Sequence, residues 1–463
     1  METNETNEFE NKLFSEGHDT EHENVVVIEA KRRRRHHRAS SHKSSGSHRS
    51  SHKGFFRSSR KKKSGRGKFK LDKTTVKKYL PIVIVILLIG LIVGVVSYYE
   101  TSIGSLRGIN INDPSEQQVV LDGKFAIQPI GFDGEVDVIS DVAKICAFLD
   151  SNATFDAVVA NYYRDYKTRF DTTVPLKFKY ELINAPDSVK KSGYTLILSE
   201  NEDYSDALVY KFTNGEEIKA DNLKTNTKYY YTVRFDSSDY GYSGTFKTSD
   251  TPRILSVDGI GNVRDIGNWK TKDGKRIKQG LLYRGTELDG MVEAGYKLTE
   301  KGKNTMLNVL GIRYEMDLRS SDANPVGVNM LGDSVEHKYY NCLMYKSIFS
   351  DLGKEVVKEI FTDLADPENY PIYMHCTYGL DRTGTVSYLL EAMLGLSDED
   401  LKREYELSAL FHLYTNIGMY DTMIFSLEVY EGETTQEKVI NYLLDCGVTE
   451  EQMDSIRNIF IAE

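Results

Sequence analysis

The sequence predicts an α/β domain at the C-terminal end, an all-β domain before it, and one membrane-length helix near the start. Three observations carry this architecture. Pro371-Ile372-Tyr373-Met374-His375 reads as a short buried strand that runs through a glycine-containing loop into an apolar helical pattern from Thr385 to Leu394. The stretches Val174 to Tyr180, Tyr194 to Ser199 and Lys228 to Phe235 alternate as strands, with turn signals such as Asn214-Gly215 between them. The run from Tyr79 to Tyr99 carries no charge. A length of 463 residues fits about three units.

The elements follow in order. Residues 1–78 are polar and read as a disordered tail in two blocks of opposite sign, net −8 over residues 1–30 and net +19 over residues 31–78. The rest of the chain is therefore acidic, although the whole carries only −10. The 79–99 run spans about 31 Å at 1.5 Å per residue, enough for a bilayer core. Tyr79, Tyr98 and Tyr99 sit where amphipathic rings prefer the interface. About 78 residues precede the run and no small-residue cleavage pattern follows it, which argues against a removed signal peptide. Basic residues stay on the cytoplasmic side. The expected topology is single-pass at the cell membrane, N-terminus cytoplasmic, with residues 100–463 extracytoplasmic. The run Arg32-Arg33-Arg34-Arg35-His36-His37-Arg38 is expected to lie near anionic lipid, with no nucleic acid as partner.

Residues 100–170 form a membrane-proximal region without a readable role, with short helices suggested at Val142 to Leu149 and Phe155 to Tyr163. Residues 171–250 read as strands. The phrase from Leu223 to Val233 is similar to the corner of fibronectin type III domains, where a leucine and a tyrosine flank a turn. Residues 251–463 alternate strands and helices. Thr299 and Ser397 stand as N-caps, for helices from Glu300 to Leu310 and up to Leu410, and Glu355 to Leu364 is amphipathic. Helices are also expected at Gln436 to Leu444 and Glu450 to Phe460. The four cysteines, Cys146, Cys342, Cys376 and Cys446, do not indicate a disulfide framework.

The chemistry concentrates in His375-Cys376-Thr377-Tyr378-Gly379-Leu380-Asp381-Arg382-Thr383-Gly384. A strand, a tight loop and a helix N-terminus bring free backbone N–H groups to one point, and the helix dipole adds to the positive field. A phosphate dianion fits such a concavity, and Gly379 lets the backbone turn and approach closely. Cys376 would lie beneath the phosphate as a thiolate, stabilised by the same groups and by Arg382. The Arg382 guanidinium can hold two phosphate oxygens. Thr383 can bond the sulfur and help it leave. Positive field from the loop and Arg382 removes the need for a metal or other cofactor. An acid must protonate the leaving oxygen, and Asp381 and Asp317 are the two candidates, with Asp381 preferred. A strand-end ion pair of Asp317 with Arg319 is the structural alternative. His375 is expected to orient the loop.

These residues resemble the His-Cys-x5-Arg signature of the cysteine-dependent protein tyrosine phosphatase superfamily. Within it the chain is similar to bacterial tyrosine and dual-specificity phosphatases with a His-Cys-x-x-Gly-Lys-Asp-Arg-Thr-Gly loop. Gly261 to Asn268, Gly280 to Gly285, and Gly311-Ile312-Arg313 leading to Asp317-Leu318-Arg319 extend the resemblance over roughly residues 251–463. The resemblance implies an α/β domain with a central sheet flanked by helices, and hydrolysis of phosphotyrosine through a phosphocysteine. It implies that His375, Thr377, Tyr378, Gly379, Leu380 and Arg264 contact a phosphorylated protein or small phosphomonoester. Leu380 departs from the pattern, which usually has lysine there; this disfavours the alternative of a phosphoinositide or inositol phosphate substrate. A second alternative is a non-catalytic phosphate-dependent binder or sensor, which would not need a thiolate.

Overall fold

The computed structural model describes residues 119–121, 125–132, 134–140, 149, 173–236, 240–319, 328–411 and 417–461. The charged tail, the 79–99 run, Cys146 and the helices expected near 142–163, Leu149 apart, lie outside the described residues. Among the described residues no helix is long and apolar enough to cross a membrane.

Alternation builds the first half of the described chain. Its strands are β1 (Val119–Leu121), β2 (Phe125–Ile130), β3 (Glu135–Val136), β4 (Leu176–Lys177), β5 (Lys179–Ile183), β6 (Tyr194–Ser199), β7 (Leu208–Phe212), β8 (Lys219–Ala220), β9 (Lys228–Phe235) and β10 (Gly241–Thr248). They form a five-stranded sheet in the order β3-β10-β9-β6-β7, a three-stranded sheet β1-β2-β5 and a small pair β4-β8. In β9 every second residue, Tyr229, Tyr231, Val233 and Phe235, is buried, as a strand with one core face requires. The core is rich in rings, with Phe178, Tyr231 and Phe246 in mutual contact. The Tyr229 hydroxyl accepts the Lys224 N–H at 2.8 Å, which makes a corner before β9. These sheets also take strands from residues before 171: β3 pairs with β10, and β2 with β5. The sequence between 100 and 170 hides this because the partners of β2 and β3 lie about fifty and more than a hundred residues downstream.

The second half is α/β. Its sheet holds β11 (Arg264–Asp265), β12 (Leu282–Gly285), β13 (Tyr314–Asp317), β14 (Glu336–Tyr339) and β15 (Ile372–His375), in the order β11-β12-β15-β13-β14. β11 runs antiparallel to β12, and the other pairings are parallel. β15 is central and all four of its residues are buried, the continuous burial expected of a parallel strand covered on both faces. The helices are α1 (Glu300–Asn304), α2 (Asp351–Leu364), α3 (Asp381–Leu394), α4 (Asp398–Glu406), α5 (Ile417–Leu427), α6 (Thr435–Asp445) and α7 (Glu450–Phe460). Thr299 and Ser397 cap α1 and α4 through their side chains, as expected. α1 and α4 are shorter than expected, since the backbone changes to a π turn at Thr305–Val309 and a 3-10 turn at Leu407–Phe411.

The β unit is bonded directly to this sheet. Arg253 is buried; it pairs with Asp265 at 2.8 Å and donates to the carbonyls of Asn222 and Leu223. Asn222 and Ser256 exchange two hydrogen bonds, and Gln279 bonds the backbone of Thr225 from both ends of its amide.

Candidate active site

β15 ends at His375 and α3 begins at Asp381, so Cys376 to Leu380 form the loop at the carboxyl end of the central strand. Gly379 has φ 65°, and a Cβ there would collide with the Gly285 backbone, so only glycine fits. Cys376 is 2% exposed. Burial alone would push its thiol up, but Arg382 and the side chain and backbone N–H of Thr383 reverse this and hold it below its ordinary value. The buried Nε of Arg382 has no partner among the described residues, although buried guanidinium nitrogens normally find one. Thr377 is buried and its carbonyl accepts the Glu287 N–H at 3.0 Å. Tyr378 is 38% exposed, sits edge-on to Tyr296 and reaches Glu293 at 3.4 Å, which makes it the loop residue most open to solvent.

The two candidate acids have different surroundings. Asp381 is half-buried and accepts a hydrogen bond from Tyr345, whose hydroxyl also meets Tyr405 at 2.6 Å. Tyr345 has φ 52°, a conformation rare for a residue with a large side chain, and its N–H is held by Thr385 at 3.0 Å. Burial keeps the Tyr345 phenol well above its ordinary value, so it acts as a donor. Asp317 is fully buried and bonded to Arg319 through both carboxylate oxygens. Arg319 also holds Glu287 and Asp289. Burial would raise the Asp317 carboxyl, but His375, His337 and Arg319 together carry it far below the usual carboxylate range. This is the strand-end ion pair set out above as the alternative to an acid.

Strand register places Asp317 opposite His375. The ring of His375 is fully buried, with Nε2 3.1 Å from Glu315 and Nδ1 3.1 Å from the Cys376 carbonyl. Burial would lower its pKa, yet Asp317 and Glu315 outweigh that and raise it to about 9. As an imidazolium both nitrogens donate, so the ring ties the loop to β13 and does not face substrate.

Two expected substrate contacts lie elsewhere. Leu380 is 5% exposed and belongs to the hydrophobic core, so it does not line the mouth; an apolar side chain at the start of a buried helix turns inward. Arg264 is also buried. Its guanidinium is spent on Glu404 at 2.7 Å, Asn262 at 2.6 Å and Ser408 at 3.1 Å, beneath the loop. Tyr345, Tyr405, Glu315 and Glu404 were not singled out by sequence. Glu404 reads as one more surface charge on an amphipathic helix, and only its pairing with Arg264 and Arg284 shows otherwise.

Residues 255–462 match the tyrosine phosphatase family. A tyrosine-protein phosphatase of Nostoc commune is 25% identical over 134 residues, covering 24% of this chain and 45% of that protein. The chain thus matches less than half the length of that curated relative. Among solved structures, the core catalytic domain of the PP-IP phosphatase SIW14 from S. cerevisiae, in complex with citrate, is similar at 13% identity and a TM-score of 0.25. That similarity covers 37% of this chain and 93% of the other.

Proposed function

We propose that this chain, whose residues 255–462 match the tyrosine phosphatase family, is a membrane-anchored phosphatase. It hydrolyses phosphomonoesters through a phosphocysteine, with phosphotyrosine as its preferred substrate and dual specificity within reach. The observation that carries this reading is the loop itself: a buried thiol with its pKa drawn down, beside an arginine whose inner nitrogen has no partner among the described residues. A binder would gain nothing from a thiolate. The Cys376 sulfur attacks phosphorus while the leaving oxygen takes a proton from Asp381. Water then attacks the phosphocysteine, Asp381 returns as the base, and Thr383 assists departure of the sulfur. Arg382 follows the equatorial oxygens through both steps. Asp317 takes the part of an anchor for Arg319.

Arg382 is the one lysine or arginine among residues 375–384, Asp381 lies in the same run, and Glu293 meets the exposed Tyr378. That balance suits one phosphoryl group more than a polyphosphorylated ring. The Tyr229 corner supports reading the β unit as a fibronectin type III-like spacer. Purified full chain in detergent should hydrolyse phosphotyrosine peptides faster than phosphoserine peptides or inositol phosphates. Cys376→Ser should lose turnover to below about one percent while still binding vanadate. Turnover that survives in the serine variant defeats the covalent route.

A further inference from the structure

Beneath the catalytic loop lies a buried ionic cluster that the mechanism above does not use. Glu404, on α4, receives Arg264 Nε at 2.7 Å and an Arg284 terminal nitrogen at 2.6 Å. The other terminal nitrogen of Arg284 donates to the Gly379 carbonyl at 2.8 Å. Arg264 holds the side-chain oxygen of Asn262 at 2.6 Å, and that amide donates to the carbonyls of Tyr378 at 3.0 Å and Gly379 at 3.3 Å. Four side chains from three separate segments thus converge on two consecutive peptide groups of the loop.

We propose that Arg284 and Asn262, themselves held by Glu404 and Arg264, are positioning residues that turn two backbone N–H groups toward the bound phosphate. The reason is covalent. In a trans peptide the C=O and N–H point to opposite sides. Anchoring the Tyr378 carbonyl below the loop aims the Gly379 N–H above it, and anchoring the Gly379 carbonyl does the same for the Leu380 N–H. Neither of those two N–H groups donates to another of the described residues. Oriented, unsatisfied N–H groups are what an oxyanion requires, and fixing them in advance removes the cost of reorganisation when charge develops.

The cluster also supplies charge. Glu391 on α3 is fully buried with both oxygens unpartnered among the described residues, and burial together with neighbouring Glu404 pushes its carboxyl well up. Two guanidinium groups against the one carboxylate of Glu404 leave a surplus positive charge behind the loop, where it favours a thiolate and a phosphate dianion. Sequence reading missed this because Arg264 reads as a substrate contact and Glu404 looks like a solvated residue.

This inference rests on the phosphatase reading, and the test separates the two. In the purified full chain, inorganic phosphate serves as a competitive inhibitor, and Cys376 is titrated by the pH dependence of its alkylation with iodoacetamide. Asn262→Ala and Arg284→Met should each weaken phosphate inhibition about tenfold and lower kcat/KM ten- to a hundredfold. Each should also move the alkylation midpoint upward, and Arg284→Lys, which restores one donor, should recover part of the loss. Circular dichroism and thermal unfolding check folding, and if Arg284→Met does not fold, Asn262→Ala, which removes no charge, decides. A folded Asn262→Ala chain with unchanged phosphate affinity and an unchanged midpoint overturns the positioning role. A wild-type chain that neither binds phosphate nor turns over overturns the phosphatase reading instead.

Discussion

Asp381 and Asp317 differ in what already holds them. Asp381, half-buried, takes one hydrogen bond from Tyr345, while Asp317 is enclosed by Arg319 and the histidines of the sheet. A carboxyl locked in its ionised form cannot deliver a proton, and an enclosed one cannot reach a leaving group. Asp381→Asn should therefore slow an alkyl phosphate about a hundredfold and an activated aryl phosphate much less, since a good leaving group hardly needs the proton. Asp317→Asn should slow both alike, because it leaves the Arg319 guanidinium short of a partner. Steady-state rates on the two substrates check this. Leaving-group dependence appearing at Asp317 would exchange the roles.

At the scale of elements, the parallel pairing of β13 with β15 sets a pH dependence. Register puts Glu315, Asp317 and His375 on adjacent strands, and the carboxylates raise the histidine from 6.5 to about 9. A base whose folded pKa is raised contributes stability fully below its unfolded value, near 6.5, and loses it as pH rises through about 9. The shift corresponds to about 3 kcal/mol. The melting temperature should therefore fall between pH 7 and pH 10, and His375→Asn should flatten that fall while starting lower. Thermal unfolding followed against pH reads both, and a wild-type melting curve indifferent to pH over this range would remove the imidazolium from the account. Turnover should show the opposite limb at acid pH, rising as Cys376 ionises at a pH below that of an ordinary thiol.

For the whole molecule, the β unit and the α/β unit share a bonded junction through Arg253–Asp265, Asn222–Ser256 and Gln279–Thr225. Both are expected to lie on the same side of the membrane, since the basic block of residues 31–78 precedes the apolar run. Protease added outside intact cells should digest residues 100–463 and spare the basic tail. Immunoblotting with antibodies to each end reads this directly, and a protected C-terminal domain would reverse the topology.

Local chemistry in the sequence determined the loop. Cys376, Gly379, Asp381, Arg382 and Thr383 sit within eight residues of one another, and their spacing is fixed by a strand, a turn and a helix whose geometry varies little. The β alternation of residues 174–235 and the caps at Thr299 and Ser397 were legible for the same reason, since each depends on near neighbours in the chain. Tertiary structure alone decided which partners meet across long separations. Arg264 reaches Glu404 over 140 residues, and Tyr345 reaches Asp381 over 36. No periodicity encodes such pairings, because a charged residue has the same signature in solvent as in a buried ionic cluster. For the same reason Arg264 and Leu380 moved from the substrate to the support beneath it. A side chain's type says what it can bond, and only packing says which way it points.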